Sequence, residues 1–151
     1  MDEARQAVWN LRGGEAAAST LEASLQQMSE RVSREYGVAV ECAIQGTPFA
    51  IGQQATHELM MVAREAIYNA VLHGHPEKIT ALLRFSAKQL EMMLRDDGKG
   101  FDAAEAPAEG HYGLQGLRER VYRFDGEVEI ESSIAGGATV HVRIPRAKLD
   151  I

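Results

Sequence analysis

Two short blocks of this chain combine residue types that can bind a nucleotide together with a metal ion. The first, Asp96-Asp97-Gly98-Lys99-Gly100-Phe101, is an acidic, glycine-rich segment that follows an apolar run. The second lies earlier and carries Glu65, Asn69 and His73 at four-residue intervals, which places them in one row along a helix. Together the blocks offer an acceptor for an adenine amino group, a carboxamide for a metal ion and a carboxylate near a terminal phosphate. These are the groups that an ATP site needs.

Each block alone also has a simpler interpretation. The row with Glu65 and Asn69 borders the apolar stripe of its predicted helix, and as a solvated edge it would make only local hydrogen bonds. The Asp-Gly-x-Gly sequence is common in tight turns, because glycine reaches φ > 0 at little cost. An EF-hand calcium loop is excluded, since the oxygen ligands do not alternate and no Glu occupies the twelfth position.

Two further glycine clusters follow along the chain. Residues 110–117 (GHYGLQGL) lead into a predicted helix, whose free N–H groups and dipole would favour a phosphate. This cluster is neither a Walker sequence nor a dinucleotide-binding fingerprint, because the required spacings are absent. The last cluster, Gly136-Gly137-Ala138-Thr139, is typical of a hairpin turn, and the hydroxyl of Thr139 could reach the adenine side of a cleft.

Length and composition predict one ordinary globular domain. A chain of 151 residues can bury a core without disulfides, and its single cysteine, Cys42, fits a reducing compartment. The net charge of −6 argues against a nucleic-acid partner or direct contact with an anionic membrane. Neither a secretory signal nor an apolar run that could span a bilayer is present, so we expect a cytoplasmic location.

Hydrophobic periodicity predicts the order helix, strand, helix, strand, strand, helix, strand, strand. The helical periods cover residues 19–36, 53–72 and 114–123, and the alternating periods cover 38–45, 79–85, 90–94, 127–131 and 139–144. This order predicts an α+β fold, a two-layer sandwich in which helices pack on one face of a mixed sheet. Residues 1–14 form a leader that ends at Gly13-Gly14, and residues 15–151 form the domain.

The four blocks stand in the order E-x-x-x-N, D-x-G-x-G, G-x-x-G-L-x-G-L and G-G-x-T. This order resembles the ATP-binding catalytic domain of sensor histidine kinases, within the superfamily that also holds gyrase B and MutL. The run from Gly113 to Val121 (GLQGLRERV) is similar to the subgroup that pairs with LuxR-type response regulators. Residues 7–12 (AVWNLR) resemble the segment that follows the dimerisation and phosphoacceptor helices in that subgroup. The resemblance implies the Bergerat-type ATP-binding fold.

The resemblance also implies a role for each polar residue of the site. Asp96 would accept the adenine amino group, with Thr139 supporting it through water, and Asn69 would hold Mg²⁺ against the phosphates. Glu65 would assist transfer of the γ-phosphoryl group as a base or orienting group, and His73 would lie near the phosphates. The remaining cofactor-binding positions would be Gly98, Gly100, Gly113, Leu114, Gly116 and Leu117, with residues 102–111 forming a short lid.

The phosphoacceptor region of such kinases has no counterpart here. The five histidines stand at positions 57, 73, 75, 111 and 141, and none matches the acceptor histidine of the family. The resemblance therefore implies a catalytic domain that binds Mg-ATP but does not phosphorylate itself. Its partners would be the dimerisation helices of a parent kinase, which a membrane could anchor, and a downstream response regulator. Two alternatives stay open: an anti-sigma-factor-type serine kinase of the same fold, and a nucleotide-binding docking module without enzymatic activity.

Overall fold

A mixed five-stranded sheet carries helices on one of its faces, which makes a two-layer α+β sandwich. The computed structural model describes residues 20–99, 112–133 and 136–151. The helices are α1 (Leu21–Tyr36), α2 (Gln53–Asn69) and α3 (Tyr112–Tyr122), with a π-helical turn at Ala70–Gly74 and a 3-10 turn at Arg146–Lys148. The strands are β1 (Ala39–Gln45), β2 (Lys78–Phe85), β3 (Gln89–Asp96), β4 (Glu127–Ser133) and β5 (Gly137–Pro145). The predicted fold class and order of elements are confirmed.

The strands lie in the order β1-β2-β3-β5-β4. Strand β1 pairs with β2 in parallel, and the other neighbours are antiparallel. A parallel pair needs a crossover connection, which α2 supplies between β1 and β2. Because of this crossover, the end of α2 lies close to the start of β2.

Helix α1 has caps at both ends. The Thr20 side chain accepts a hydrogen bond from Ala23 N (3.1 Å), so the helix begins at Leu21, two residues later than the periodicity predicts. Gly37 ends the helix at φ 70°, in the left-handed conformation that glycine adopts readily. The apolar stripe of α1 enters the core with Leu21, Leu25, Met28 and Val32.

Alternate residues of each inner strand face the helices. On β3 these are Leu90, Met92 and Leu94, all buried, and the next position of the same alternation is Asp96. A carboxylate thus ends a row of core side chains. Its place on the helix-facing side of the sheet follows from the same period of two that buries the leucines.

Helix α2 packs its stripe of Leu59, Val62, Ala63 and Ile67 against the sheet. The periodicity predicts one continuous helix to residue 72, but the α-helix ends at Asn69 and the chain continues as the π-helical turn Ala70–Gly74. A π-turn widens the helix by one residue per turn and is frequent at functional sites. Here Asn69 is the last residue of the α-helix, and His73 lies within the π-turn that follows it.

Two segments named by the sequence analysis, the leader at 1–14 and the lid at 102–111, lie outside the described residues. None of the helices within the described ranges has the length and apolar character needed to cross a bilayer.

Candidate nucleotide-binding site

A cleft of about 680 Å³, counting its open mouth, lies between the end of α2 and the helix-facing side of β2, β3 and β5. Most of the lining is apolar: Ala66, Ile67, Ala70, Ile79, Leu94, Ile130, Ala138 and Val140. The polar groups on the lining belong to Asn69, His73, Arg95 and Asp96.

Asp96 is the buried acid of this cleft, with 8% of the residue exposed. Its Oδ1 accepts a hydrogen bond from Gly98 N (2.7 Å), and it pairs with Ala138 across the β3–β5 ladder. The pKa of Asp96 is raised, mainly because the carboxyl group is buried and also because the negative charge of Asp97 is near. The N–H groups of Gly98 and Ala138 lower the pKa, but by less than the other two effects raise it. A desolvated carboxylate in an apolar cleft is a strong acceptor for a ligand N–H group.

The loop after Asp96 lies directly against the π-turn. Lys99 N donates to Gly74 O (2.8 Å), and a Cβ on Gly98 would lie 2.5 Å from that same oxygen. Only a residue without a side chain permits this approach. Gly98 therefore allows two backbones to approach each other beside the cleft, and its contact with a nucleotide stays a prediction.

Asp97 fastens this loop to the start of β2. Its Oδ1 accepts hydrogen bonds from Glu77 N (2.9 Å) and Lys78 N (3.0 Å), while its own N donates to Lys78 O (3.3 Å). The N–H of Lys78 is the main cause that lowers the pKa of Asp97 below its ordinary value. This role of Asp97 was not predicted from the sequence. The available sequence signal was the doublet Asp96-Asp97 at the end of a strand. Because the side chains of adjacent strand residues point to opposite sides, this pattern indicates different surroundings for the two carboxylates.

The row predicted on α2 is only partly assembled at the cleft. Asn69 and His73 line it, whereas Glu65, which is half-buried one turn before Asn69, is not among the lining residues. The described residues contain no cluster of three or more His, Cys, Asp or Glu side chains that could hold a metal ion. This donor set still fits Mg²⁺, which binds through one or two protein oxygens and completes its shell with phosphates and water.

The structure does not bring Thr139 to the cleft. Ala138 pairs with Asp96 and lines the cleft, and Thr139 pairs with Arg95 on the opposite side of the sheet. There it lines a shallow groove with Met93, Glu129 and His141. The expectation that Thr139 supports Asp96 is wrong for this geometry, because the strand period of two turns neighbouring side chains to opposite faces.

The glycine cluster at 110–117 enters α3. Gly113 is in the first turn of this helix, and at Gly116 a Cβ would meet no heavy atom of the described residues within 4 Å. Leu117 is 1% exposed and belongs to the core, so it anchors α3 rather than contacting a ligand, contrary to the expectation. The side chain of Leu114 and all of Gly100 lie outside the described part of the chain.

The apolar walls were the other part of the cleft that sequence reasoning missed. Ala66 and Ala70 are small residues on the cleft side of α2 and the π-turn, and Ile130 comes from β4. The two alanines continue the apolar stripe of the helix and pack against the edge of the core. Their small size leaves the space beside Asp96 open.

The sequence profile of one family, described as "Histidine kinase-, DNA gyrase B-, and HSP90-like ATPase", matches residues 54–148. The signal transduction histidine-protein kinase/phosphatase DegS of Bacillus subtilis is 35% identical over 89 residues, which cover 58% of this chain and 23% of DegS. The sensor histidine kinase LiaS of the same organism is 27% identical over 144 residues, covering 95% of this chain and 39% of LiaS. This chain thus spans less than half the length of the curated relatives it matches.

Solved structures show the same fold. The histidine kinase domain of the blue-light activated histidine kinase from Erythrobacter litoralis EL346 has a TM-score of 0.68 and 22% identity, covering 85% of this chain and 62% of that one. The ATP-binding domain of PrrB from Mycobacterium tuberculosis has a TM-score of 0.63 and 20% identity, and the match covers 84% of this chain and 94% of that one. The profile match over residues 54–148 shows that the chain belongs to the family of histidine kinase-, DNA gyrase B- and HSP90-like ATPases, and the curated relatives named above are sensor histidine kinases.

Proposed function

We propose that this chain binds Mg-ATP and donates the γ-phosphoryl group to a histidine on the dimerisation helices of a parent sensor kinase. The observation that carries the proposal is the buried carboxylate of Asp96 on the lining of a largely apolar cleft. An apolar cleft favours a flat aromatic ring, and a single buried acceptor selects a ring that carries an amino group.

The base end of the site would work by desolvation and one directed hydrogen bond. The ring would lie between the apolar sides of Ile79, Leu94 and Val140, and its exocyclic amino group would donate to Asp96. Because Gly98 N donates a hydrogen bond to the carboxylate (2.7 Å), the carboxylate is oriented before the ligand arrives. A base that offers a carbonyl oxygen at this position would face a carboxylate and be rejected.

The phosphate end would lie at the rim formed by Asn69 and the π-turn. Asn69 is the side chain placed to hold Mg²⁺, whose charge neutralises the phosphate oxygens during transfer. His73, on the same rim, would contact the phosphates. Gly116, where a Cβ would meet no atom of the described residues within 4 Å, would allow a phosphate or the lid to approach α3 closely.

The transfer step would form a bond between the γ-phosphorus and a ring nitrogen of the acceptor histidine while the bond to the β,γ-bridging oxygen breaks. ADP leaves with that electron pair, and Glu65, one turn before Asn69, would orient the imidazole or take its proton. None of the described histidines (57, 73, 75 and 141) resembles the acceptor of such kinases, so the acceptor would lie in the parent protein. The relatives named above are sensor histidine kinases, which supports this acceptor over a protein serine.

The parent kinase would pass the phosphoryl group to a response regulator, and the domain would act in the cytoplasm. Calorimetric titration of this chain with ATP, with and without Mg²⁺, tests the first half of the proposal. A transfer assay with radiolabelled ATP and the longer chain that restores the acceptor helices tests the second half. Acid-labile label on the longer chain, absent after replacement of the acceptor histidine, is the expected result. Acid-stable label on a protein serine would instead identify a serine kinase.

A further inference from the structure

A partly buried ion pair joins α2 to α3. Glu58 Oε1 lies 2.6 Å from Arg120 Nη1 and 3.9 Å from Arg123 Nη1. The side chain of Glu58 is only 14% exposed and that of Arg120 34%, so water screens this pair less than a surface pair. The other ion pairs of the described residues join neighbouring strands, or a turn to the C-terminal segment, and several are well exposed.

The two helices that this pair connects are the two that would hold the phosphates. Glu58 and Asn69 belong to the same helix, roughly 16 Å apart along its axis at 1.5 Å per residue. Arg120 lies one turn after Gly116 on α3. The pair therefore couples the helix that offers a metal ligand to the helix whose glycines would receive the phosphates.

Other contacts hold α3 to the fold but leave its rotation less determined. Arg118 Nη1 donates to Val128 O (3.1 Å), and Leu117 and Val121 are buried in the core. Apolar packing is non-directional, whereas a close charge-assisted contact specifies a distance and an orientation. Between α2 and α3, Glu58 and Arg120 supply this directed contact.

The base end of the cleft does not depend on α3. Asp96 is on β3, Lys99 N donates to Gly74 O, and Asp97 accepts hydrogen bonds from the start of β2. A small displacement of α3 would consequently change contacts to the phosphates and leave the adenine contacts in place.

We propose that Glu58 and Arg120 are positioning residues that set the spacing of α2 and α3 for triphosphate binding. This inference rests on the proposed function. Neither side chain would touch the nucleotide; each acts through the helix that carries it.

The test compares Mg-ATP with adenosine, which shares the base but lacks phosphates. Glu58→Gln, Arg120→Gln and the double variant are titrated calorimetrically with each ligand, well below the unfolding temperature measured for each protein. Glu127→Gln serves as the control, because it breaks an exposed contact to Arg143 (3.0 Å) on the other face of the sheet. We expect roughly tenfold weaker ATP binding in the single variants, less than about twofold change for adenosine, and no change in the control.

Because the pair acts as one unit, the double variant should bind ATP about as well as either single variant. Equal losses for ATP and adenosine, unchanged ATP binding, or additive losses in the double variant would each overturn the inference. Should Glu58→Gln be unfolded at the assay temperature, Arg120→Lys carries the same two-ligand comparison. Failure of the unsubstituted chain to bind ATP would instead refute the proposed function itself.

Discussion

Gly98→Ala is the substitution whose consequence the structure specifies most closely. A Cβ at this position would lie 2.5 Å from Gly74 O and 3.0 Å from Asp96 Oδ1. Side chains do not reach carbon–oxygen distances that short, so the loop must move away from the π-turn by about 0.5 Å or more. Both atoms that it would strike belong to the candidate site, since Gly74 and Asp96 line the cleft.

The cost follows from the contacts that this movement breaks. Lys99 N donates to Gly74 O (2.8 Å), and Gly98 N donates to the Asp96 carboxylate (2.7 Å). A neutral hydrogen bond contributes about 0.5–1.5 kcal/mol and one to a charged group about 1.5–3 kcal/mol, part of which water restores in an open loop. We expect Gly98→Ala to lower the free energy of unfolding by about 2–4 kcal/mol. ATP affinity should fall at least about tenfold, because Asp96 no longer has its orientation.

Urea denaturation and calorimetric titration measure the two effects separately. Gly74→Ala is the matched control for stability, because a Cβ there would meet its nearest atoms at 3.7 Å, an ordinary contact. Gly74 also adopts a negative φ within the π-turn, so alanine should leave stability within about 1 kcal/mol of the parent or raise it slightly. If Gly98→Ala and Gly74→Ala were equally stable, or if Gly98→Ala bound ATP like the parent, the close approach of the two backbones would be refuted.

Three further predictions concern single side chains of the site. Burial raises the pKa of Asp96. As the pH drops through this raised pKa the acceptor becomes protonated, so ATP affinity should fall. Over the same pH range the contribution of Asp96 to the stability of the free protein should increase, because the folded state binds the proton more tightly than the unfolded state. The Asp96→Asn variant should bind ATP at least about tenfold more weakly and lack this pH step in a calorimetric titration series. Asn69→Ala should weaken ATP binding more in the presence of Mg²⁺ than in its absence, and equal losses would contradict its role as a metal ligand. Thr139→Ala should leave ATP affinity unchanged, because its side chain lies on the opposite face of the sheet. A measurable loss in this variant would show that the register of β5 is wrong.

The places of Asp96, Asn69 and His73 on the cleft could be predicted because local motifs determine them. Asp96 ends an apolar strand, and the alternation of that strand places it on the buried side. Asn69 and His73 share one helical row, and both reach the cleft. Leu117 was assigned to the ligand because it belongs to a glycine-rich motif, but its burial shows that motif membership does not distinguish an anchor from a contact.

Thr139 and Asp97 illustrate what local patterns do not contain. Whether Ala138 or Thr139 faces the cleft depends on the pairing of β5 with β3, which a shift of one residue would reverse. The contact from Asp97 reaches Glu77, twenty residues earlier in the chain. Neither partner is specified by the spacing within a motif.

The amino-acid sequence by itself determined which segments are helices and strands, their order, and the acid, amide and glycines available for a nucleotide. Those properties arise from periodicity and backbone preference, which act over a few neighbouring residues. The tertiary structure alone decided which of these side chains share one cleft and which lie behind the sheet. It also placed the π-turn against the loop after Asp96 and the carboxylate of Glu58 beside Arg120. Such contacts depend on strand register and helix packing, in which residues far apart in the chain compete for the same space.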